Sequence, residues 1–261
     1  DFDSDGYMDV VSGRHVVLNN GPNKGDFTTT PIEYWKYGAT PVDTTPADVD
    51  GDGDVDLIVL PRDSNSPVVQ FLLNDGSGDF SNAERVVPLV GTTPAPIDLS
   101  NTDTTMTVVA GHLSGPGGID DVVDFVVADG ATIRAYISTA TTKTDYKYEE
   151  SIVDNGLTEV TDMLIVSLSG QPSSSTQAAQ QDLVYVSRNG ANDGAVYAVA
   201  GESITSPSRT KLSDTTEDVS KVAFGNVMGD ATKAMLFKDD GTPVRKDDDE
   251  PATITEGQID S

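Results

Sequence analysis

The chain of 261 residues sets 16 Lys+Arg against 43 Asp+Glu, a formal charge of −27, and contains 24 Gly, 14 Pro and 0 Cys. So acidic a balance excludes nucleic acid and membrane surfaces as partners, because both need Lys/Arg to neutralise phosphate. Zero Cys excludes disulfides, Cys-ligated zinc and thiol nucleophiles, and no apolar run nears the roughly 18 residues of a membrane-spanning helix, so no membrane insertion is expected.

The chain opens on an acidic loop, DFDSDGYMD, in which Asp1, Asp3, Asp5 and Asp9 are spaced two, two and four apart and Gly6 follows the third. Alternate positions of a tight loop can aim their carboxylates at one centre, and Gly allows the turn that brings the far side back. A β-branched run follows. Then VVLNNGPNKGDF (16–27), two apolar stretches broken by Asn, Gly and Asp, reads as strand and hairpin turn. Tyr34, Trp35 and Tyr37 stand together in EYWKY. They read as an outer strand packed between sheets, with a sugar-stacking or protein-contact patch as the alternative. The segment ADVDGDGDVDLIVL (47–60) repeats the opening: Asp48, Asp50, Asp52 and Asp56 keep the spacing with Gly53 in register, and FLLNDGSGDF (71–80) repeats the hairpin. Tyr7 and Asp54 fall where such loops supply a main-chain carbonyl.

Three weaker copies follow, VVAGHLSG (108–115), LIVSLSG (164–170) and VAFGNVMGD (222–230), each a strand running into a turn. Their first loop positions, His112, Ser167 and Asn226, continue the series begun by Asp1 and Asp48 at intervals of 47, 64, 55 and 59 residues. At the first two ligand positions they carry His112/Ser114, Ser167/Ser169 and Asn226/Met228. The fifth keeps Asp230 beside Thr232 and Ala234, so no tightly bound ion is expected in any of the three. Strand-like runs resume at Asp124, Asp182 and Ala234, the first two after loops lengthened by GPGGIDDVV and by QPSSSTQAAQQ, the latter a surface excursion. His15 and His112 lie near no Ser nucleophile motif and read as strand or turn residues, and KDDDE (246–250) reads as a solvated turn.

Short β-rich runs recur throughout and no window holds a 3.6-residue apolar period, which makes the chain all-β. A unit of about 56 residues with roughly four strands matches one blade of a β-propeller. The expectation is a single propeller, or a segment of one, over residues 1–261, with about five four-stranded repeats starting near 1, 48, 112, 167 and 226. A β-sandwich with two acidic loops is the alternative.

Four carboxylates about 4 to 5 Å apart repel by roughly 1 to 4 kcal/mol per pair, and a cation offsets that repulsion. The donors are hard oxygens without His or Cys, which favours Ca²⁺ over Zn²⁺ or Cu²⁺, while Mg²⁺ prefers fewer protein ligands. An EF-hand starts with the same DxDxDG, but its twelfth position needs Glu and here holds Ser12 or Val59.

These loops, with LNxG…GDF at 18–27 and 73–80 and a faded AFGNVMGD at 223–230, resemble the FG-GAP/VCBS repeat family of calcium-loop propellers. The resemblance is strong over residues 1 to about 85 and weaker beyond. It implies that the loop joins the first two strands of a blade and that its ion stabilises the blade without catalysis. It also implies Asp1, Asp3, Asp5, Asp9, Asp48, Asp50, Asp52 and Asp56 as side-chain ligands, with Tyr7 and Asp54 giving carbonyls, for two Ca²⁺ ions.

The functional expectation is therefore a non-enzymatic, calcium-stabilised binding, adhesion or structural module, extracellular or at the cell surface, that meets a protein or glycan ligand. Alternatives are an accessory domain of a secreted polysaccharide-degrading enzyme and a subunit of an extracellular filament or surface layer. With no N-x-Ser/Thr acceptor and no Cys, a prokaryotic exported source is expected. The start at Asp1 without Met reads as a mature or excised piece. The first loop has no strand before it, so the C-terminal TITEGQIDS (253–261) is expected to fill that gap, within one chain or by self-association through the chain ends.

Overall fold

A computed structural model describes residues 1–21, 26–62, 68–99, 106–113, 122–142, 144–166, 181–188, 194–212, 219, 221–224, 234–237 and 253–254. Ser114, Ser167, Ser169, Asn226, Met228, Asp230, Thr232 and the run 246–250 lie outside the described residues.

The strands run in chain order as follows. The first sheet holds β1 (Val10–Ser12), β2 (His15–Val17) and β3 (Ile32–Glu33), and the second holds β4 (Asp43–Ala47), β5 (Asp56–Leu60), β6 (Gln70–Leu73) and β7 (Glu84–Val86). A short hairpin, β8 (Leu89–Val90) and β9 (Ala95–Pro96), precedes the third sheet, β10 (Thr107–Gly111), β11 (Asp124–Asp129), β12 (Thr132–Ser138) and β13 (Lys147–Asn155). The fourth sheet is β14 (Glu159–Val166), β15 (Asp182–Arg188), β16 (Gly194–Val199) and β17 (Arg209–Lys211). Last come β18 (Lys221–Phe224), β19 (Ala234–Phe237) and β20 (Thr253–Ile254).

Consecutive strands within each sheet pair antiparallel, and the inner strands meet in succession: β4 packs on β10, β10 on β14 and β14 on β18. Carboxylates staple these contacts. Asp43 Oδ2 accepts from Val108 N–H at 2.9 Å, and Asp162 Oδ2 accepts from Val222 N–H at 2.9 Å. The second strands, DLIVL in β5 and DFVVAD in β11, are buried along their whole length because both edges and both faces are covered. Side chains alternate across the sheet. Ile58, Leu60 and Phe71 pack with Val108, Phe125 and Tyr148 of the third sheet, while Leu57, Val59 and Leu72 pack with Phe2, Val16 and Trp35 of the first. The apolar core therefore lies between sheets, as radial packing requires.

The fold is all-β, with four blades arranged as a β-propeller among the described residues. The expected five four-stranded repeats are not matched. Like the first sheet, β18–β20 hold three strands among the described residues, here of only 4, 4 and 2 residues. The long interval between the second and third loops has a structural cause: β8 pairs in parallel with β13, so the 89–96 hairpin extends the outer edge of the third blade. At the C-terminal segment, Ile254 pairs with Ala234 of its own sheet and not with the first, and residues 255–261 lie outside the described ones.

Candidate metal centres

The second acidic loop joins the first two strands of its blade, and the first acidic loop leads directly into β1. Within the second blade Ala47 pairs with Asp56, so the loop of residues 48–55 leaves and returns at adjacent points. Asp48 holds that loop from its start: its Oδ1 accepts from Gly51 N–H at 2.7 Å and its Oδ2 from Gly53 N–H at 3.0 Å. The first loop repeats this, with Asp1 Oδ1 accepting from Asp5 N–H and Oδ2 from Gly6 N–H, both at 3.0 Å. Gly6 and Gly53 occupy equivalent positions at φ +91° and +100°, where a Cβ is strained. One position differs: Ser4 sits at φ 56° where the second loop has Gly51 at φ 70°.

Two clusters result. Asp1, Asp3 and Asp9 bring carboxylate oxygens within 4.8 Å of one another, and so do Asp48, Asp50 and Asp56. Asp5 and Asp52, expected in the same sets, fall outside these groupings. Each closes a small turn, accepting from Tyr7 N–H at 2.8 Å and from Asp54 N–H at 2.9 Å. The donor set is hard oxygen throughout, and Asp3 Oδ1 is buried without a hydrogen-bond partner. An unpaired buried carboxylate oxygen is costly, and a hard cation satisfies it.

Electrostatics agree with that fit. Burial, then the neighbouring Asp5 and Asp9, push the Asp3 carboxyl up from its usual value. Burial, then Asp52, push Asp50 up. Asp56, fully buried, is pushed up to about 7 by desolvation against the opposing pull of two N–H donors.

Those donors identify a role for the last aspartate that the spacing does not reveal. Asp56 Oδ2 accepts from Val49 N–H at 2.9 Å and its Oδ1 from Asn74 N–H at 2.8 Å, tying the start of the loop to the β6 turn. Asp9 does the same for Phe2 N–H at 2.6 Å and Asn19 N–H at 2.7 Å. In the third blade, Asp124 accepts from Leu113 N–H at 2.9 Å and from Ser138 N–H at 2.8 Å. In the fourth, Asp182 accepts from Gly201 N–H at 3.0 Å. In the sequence these residues show only as the aspartate that opens β5, β11 and β15.

The expected outer strand is shorter than EYWKY, since β3 ends at Glu33 and Tyr34, Trp35 and Tyr37 follow it outside any strand. Tyr34 and Trp35 are buried, with the Tyr34 hydroxyl on the Gly13 carbonyl and Trp35 Nε1 on the Ala39 carbonyl. Tyr37 alone of the three is exposed, and Arg85 lies 4.2 Å over its ring. His15 is a β2 residue, and His112 N–H is held by Gln181 Oε1 at 2.8 Å. No helix of the described residues is long and apolar enough to cross a membrane.

Residues 1–59, which span both acidic loops, match the family model for the FG-GAP-like repeat. No curated protein matches the chain.

Proposed function

We propose that the chain is a non-enzymatic binding or structural module, built as an FG-GAP-type propeller, whose first two blades are stabilised by two Ca²⁺ ions outside the cytoplasm. The carrying observation is the pair of carboxylate clusters in loops of the same aspartate spacing, one of them with the orphaned Asp3 Oδ1. Asp1, Asp3 and Asp9 would hold one ion and Asp48, Asp50 and Asp56 the other, with Asp5, Asp52 and the Tyr7 and Asp54 carbonyls completing the sets. The ion supplies positive charge that offsets the repulsion within each cluster. Extracellular calcium modules bind at about 10⁻⁴ to 10⁻³ M, the range in which such a loop fills outside cells. A protein or glycan ligand is the expected partner of the propeller. Calorimetric titration with Ca²⁺ tests this reading: two sites per chain and a melting temperature lowered by chelator support it, and no heat with an unchanged melting temperature refutes it.

A second reading, self-association, is favoured by the first sheet. Among the described residues β1 pairs only with β2, and Met8 and Val10 beside that open edge are exposed, as is Phe27. Open edges accept strands from other chains. Sedimentation equilibrium separates the outcomes: mass rising with concentration supports assembly, and a monomer throughout removes it.

A further inference from the structure

The turn at 74–80 in the second blade touches both acidic loops. Towards its own loop, Asn74 N–H reaches Asp56 Oδ1 at 2.8 Å and Asn74 Nδ2 donates to the Val55 carbonyl at 3.1 Å. A Cβ on Gly76 would stand 2.7 Å from Asp54 Oδ1. Towards the first loop, the same Nδ2 donates to the Phe2 carbonyl at 2.7 Å. A Cβ on Gly78 would stand 3.2 Å from Asp3 Cβ, and the Phe80 ring meets Phe2 edge-on at 5.3 Å. Asn74 is buried, and its Oδ1 accepts from Gly78 N–H at 3.2 Å, which fixes the amide orientation.

The first blade makes only half of this arrangement. Asn19 N–H reaches Asp9 Oδ1 at 2.7 Å and Nδ2 the Met8 carbonyl at 3.3 Å, as Asn74 does in its own blade. Among the described residues no further acidic loop lies beyond it, and Asn19 Oδ1 is buried without a partner.

We infer that Asn74 is a positioning residue that couples the two loops, so that an ion held at 48–56 strengthens binding at 1–9, and the reverse. The inference rests on the calcium reading above. Ordering Asp56 and Val55 holds the 74–80 turn against the second loop. The turn then presents the Asn74 amide and the Phe80 ring to Phe2, whose own N–H is held by Asp9 Oδ2. The first loop loses less conformational freedom when its ion arrives, and linkage makes the effect reciprocal.

Terbium(III), a Ca²⁺ surrogate, provides the test on the full chain. Tyr7 lies in the first loop while the second has Asp54 at that position, and Tyr146 stands near Asp50, Asp52 and Asp56, so the part of the luminescence lost in Tyr7→Phe reports the first loop. Asp50→Asn is expected to weaken Tb³⁺ binding at the first loop about fivefold or more, and to have no such effect once Asn74→Ala is present. Unchanged first-loop affinity in Asp50→Asn overturns the coupling and leaves both ion sites standing. An undiminished Asp50→Asn effect in the Asn74 variant overturns the role of Asn74. Absence of Tyr7-sensitised signal and of Ca²⁺ heat in the wild type overturns the calcium reading and the coupling together. Where circular dichroism shows Asn74→Ala unfolded, Asn74→Asp replaces it, keeping the volume and the Oδ1 acceptor while removing the donor to Phe2.

Discussion

The second and third blades share a frame and differ in charge. In both, a buried aspartate opens the second strand, and its two oxygens hold one N–H at the start of the loop and another in the returning chain: Val49 and Asn74 on Asp56, Leu113 and Ser138 on Asp124. Facing Asp56 stand Asp48 and Asp50; the equivalent sequence positions before Asp124 are His112 and Ser114. The aspartate that persists in the acid-poor loop therefore serves the fold, and the positions that vary are those that would face an ion.

Loss of the shared clamp should have the largest effect. Asp124→Ala removes the carboxylate that accepts from Leu113 and Ser138 N–H and is expected to cost about 3 kcal/mol, equally in calcium and in chelator, by urea unfolding. A smaller, conditional effect is expected at Asp50→Ala. At free Ca²⁺ about 100 times the dissociation constant it loses roughly 2.7 kcal/mol of ion-linked stability, and in chelator it loses little, since loss of the exposed bond from Asp52 N–H is offset by relief of like-charge repulsion. Ser114→Ala should show no calcium dependence in the same assay, and a calcium-dependent loss there would erase the distinction between the two blades.

The pH response separates the loops further. Because the Asp56 carboxyl in the fold is pushed up to about 7, above its value in the unfolded chain, its protonation favours the folded state at low pH. That contribution is lost as pH rises through about 7. In chelator the melting temperature should fall as pH rises from about 4 to about 7 and level off above that, and Asp56→Asn should flatten the trend. With Ca²⁺ present the trend should weaken, because ligands bind the ion deprotonated. The smallest effect is expected at Ser4→Gly, which relieves a left-handed serine at a position the second loop gives to Gly51. A gain of about 0.5 kcal/mol in thermal unfolding is expected, with Gly51→Ser showing a loss.

Much of this architecture is legible in the amino-acid sequence, for physical reasons. Carboxylates at alternate positions with Gly in register have few uses, so residues 1–60 alone place both loops and their bounding strands. The clamp is not legible there: Asp124 and Asp182 read as the first residues of apolar strands, and a carboxylate that holds two distant N–H groups leaves no local pattern. The fifth four-stranded repeat is not matched among the described residues, and a strand running into a Gly turn, as at 222–225, does not itself bring a four-stranded sheet. Likewise LNDGSGDF reads only as a turn. Its glycines and Asn74 face two loops separated by about fifty residues of chain, a relation that only the packing of neighbouring blades reveals.

The sharpest test of the two-ion reading is a crystal structure grown at millimolar Ca²⁺. One ion is expected at about 2.3 to 2.6 Å from carboxylate oxygens of Asp1, Asp3 and Asp9, a second at the same distances from Asp48, Asp50 and Asp56, and none between His112 and Asp124. Water alone in the first two loops, or an ion on Asp124 in the third, would refute it.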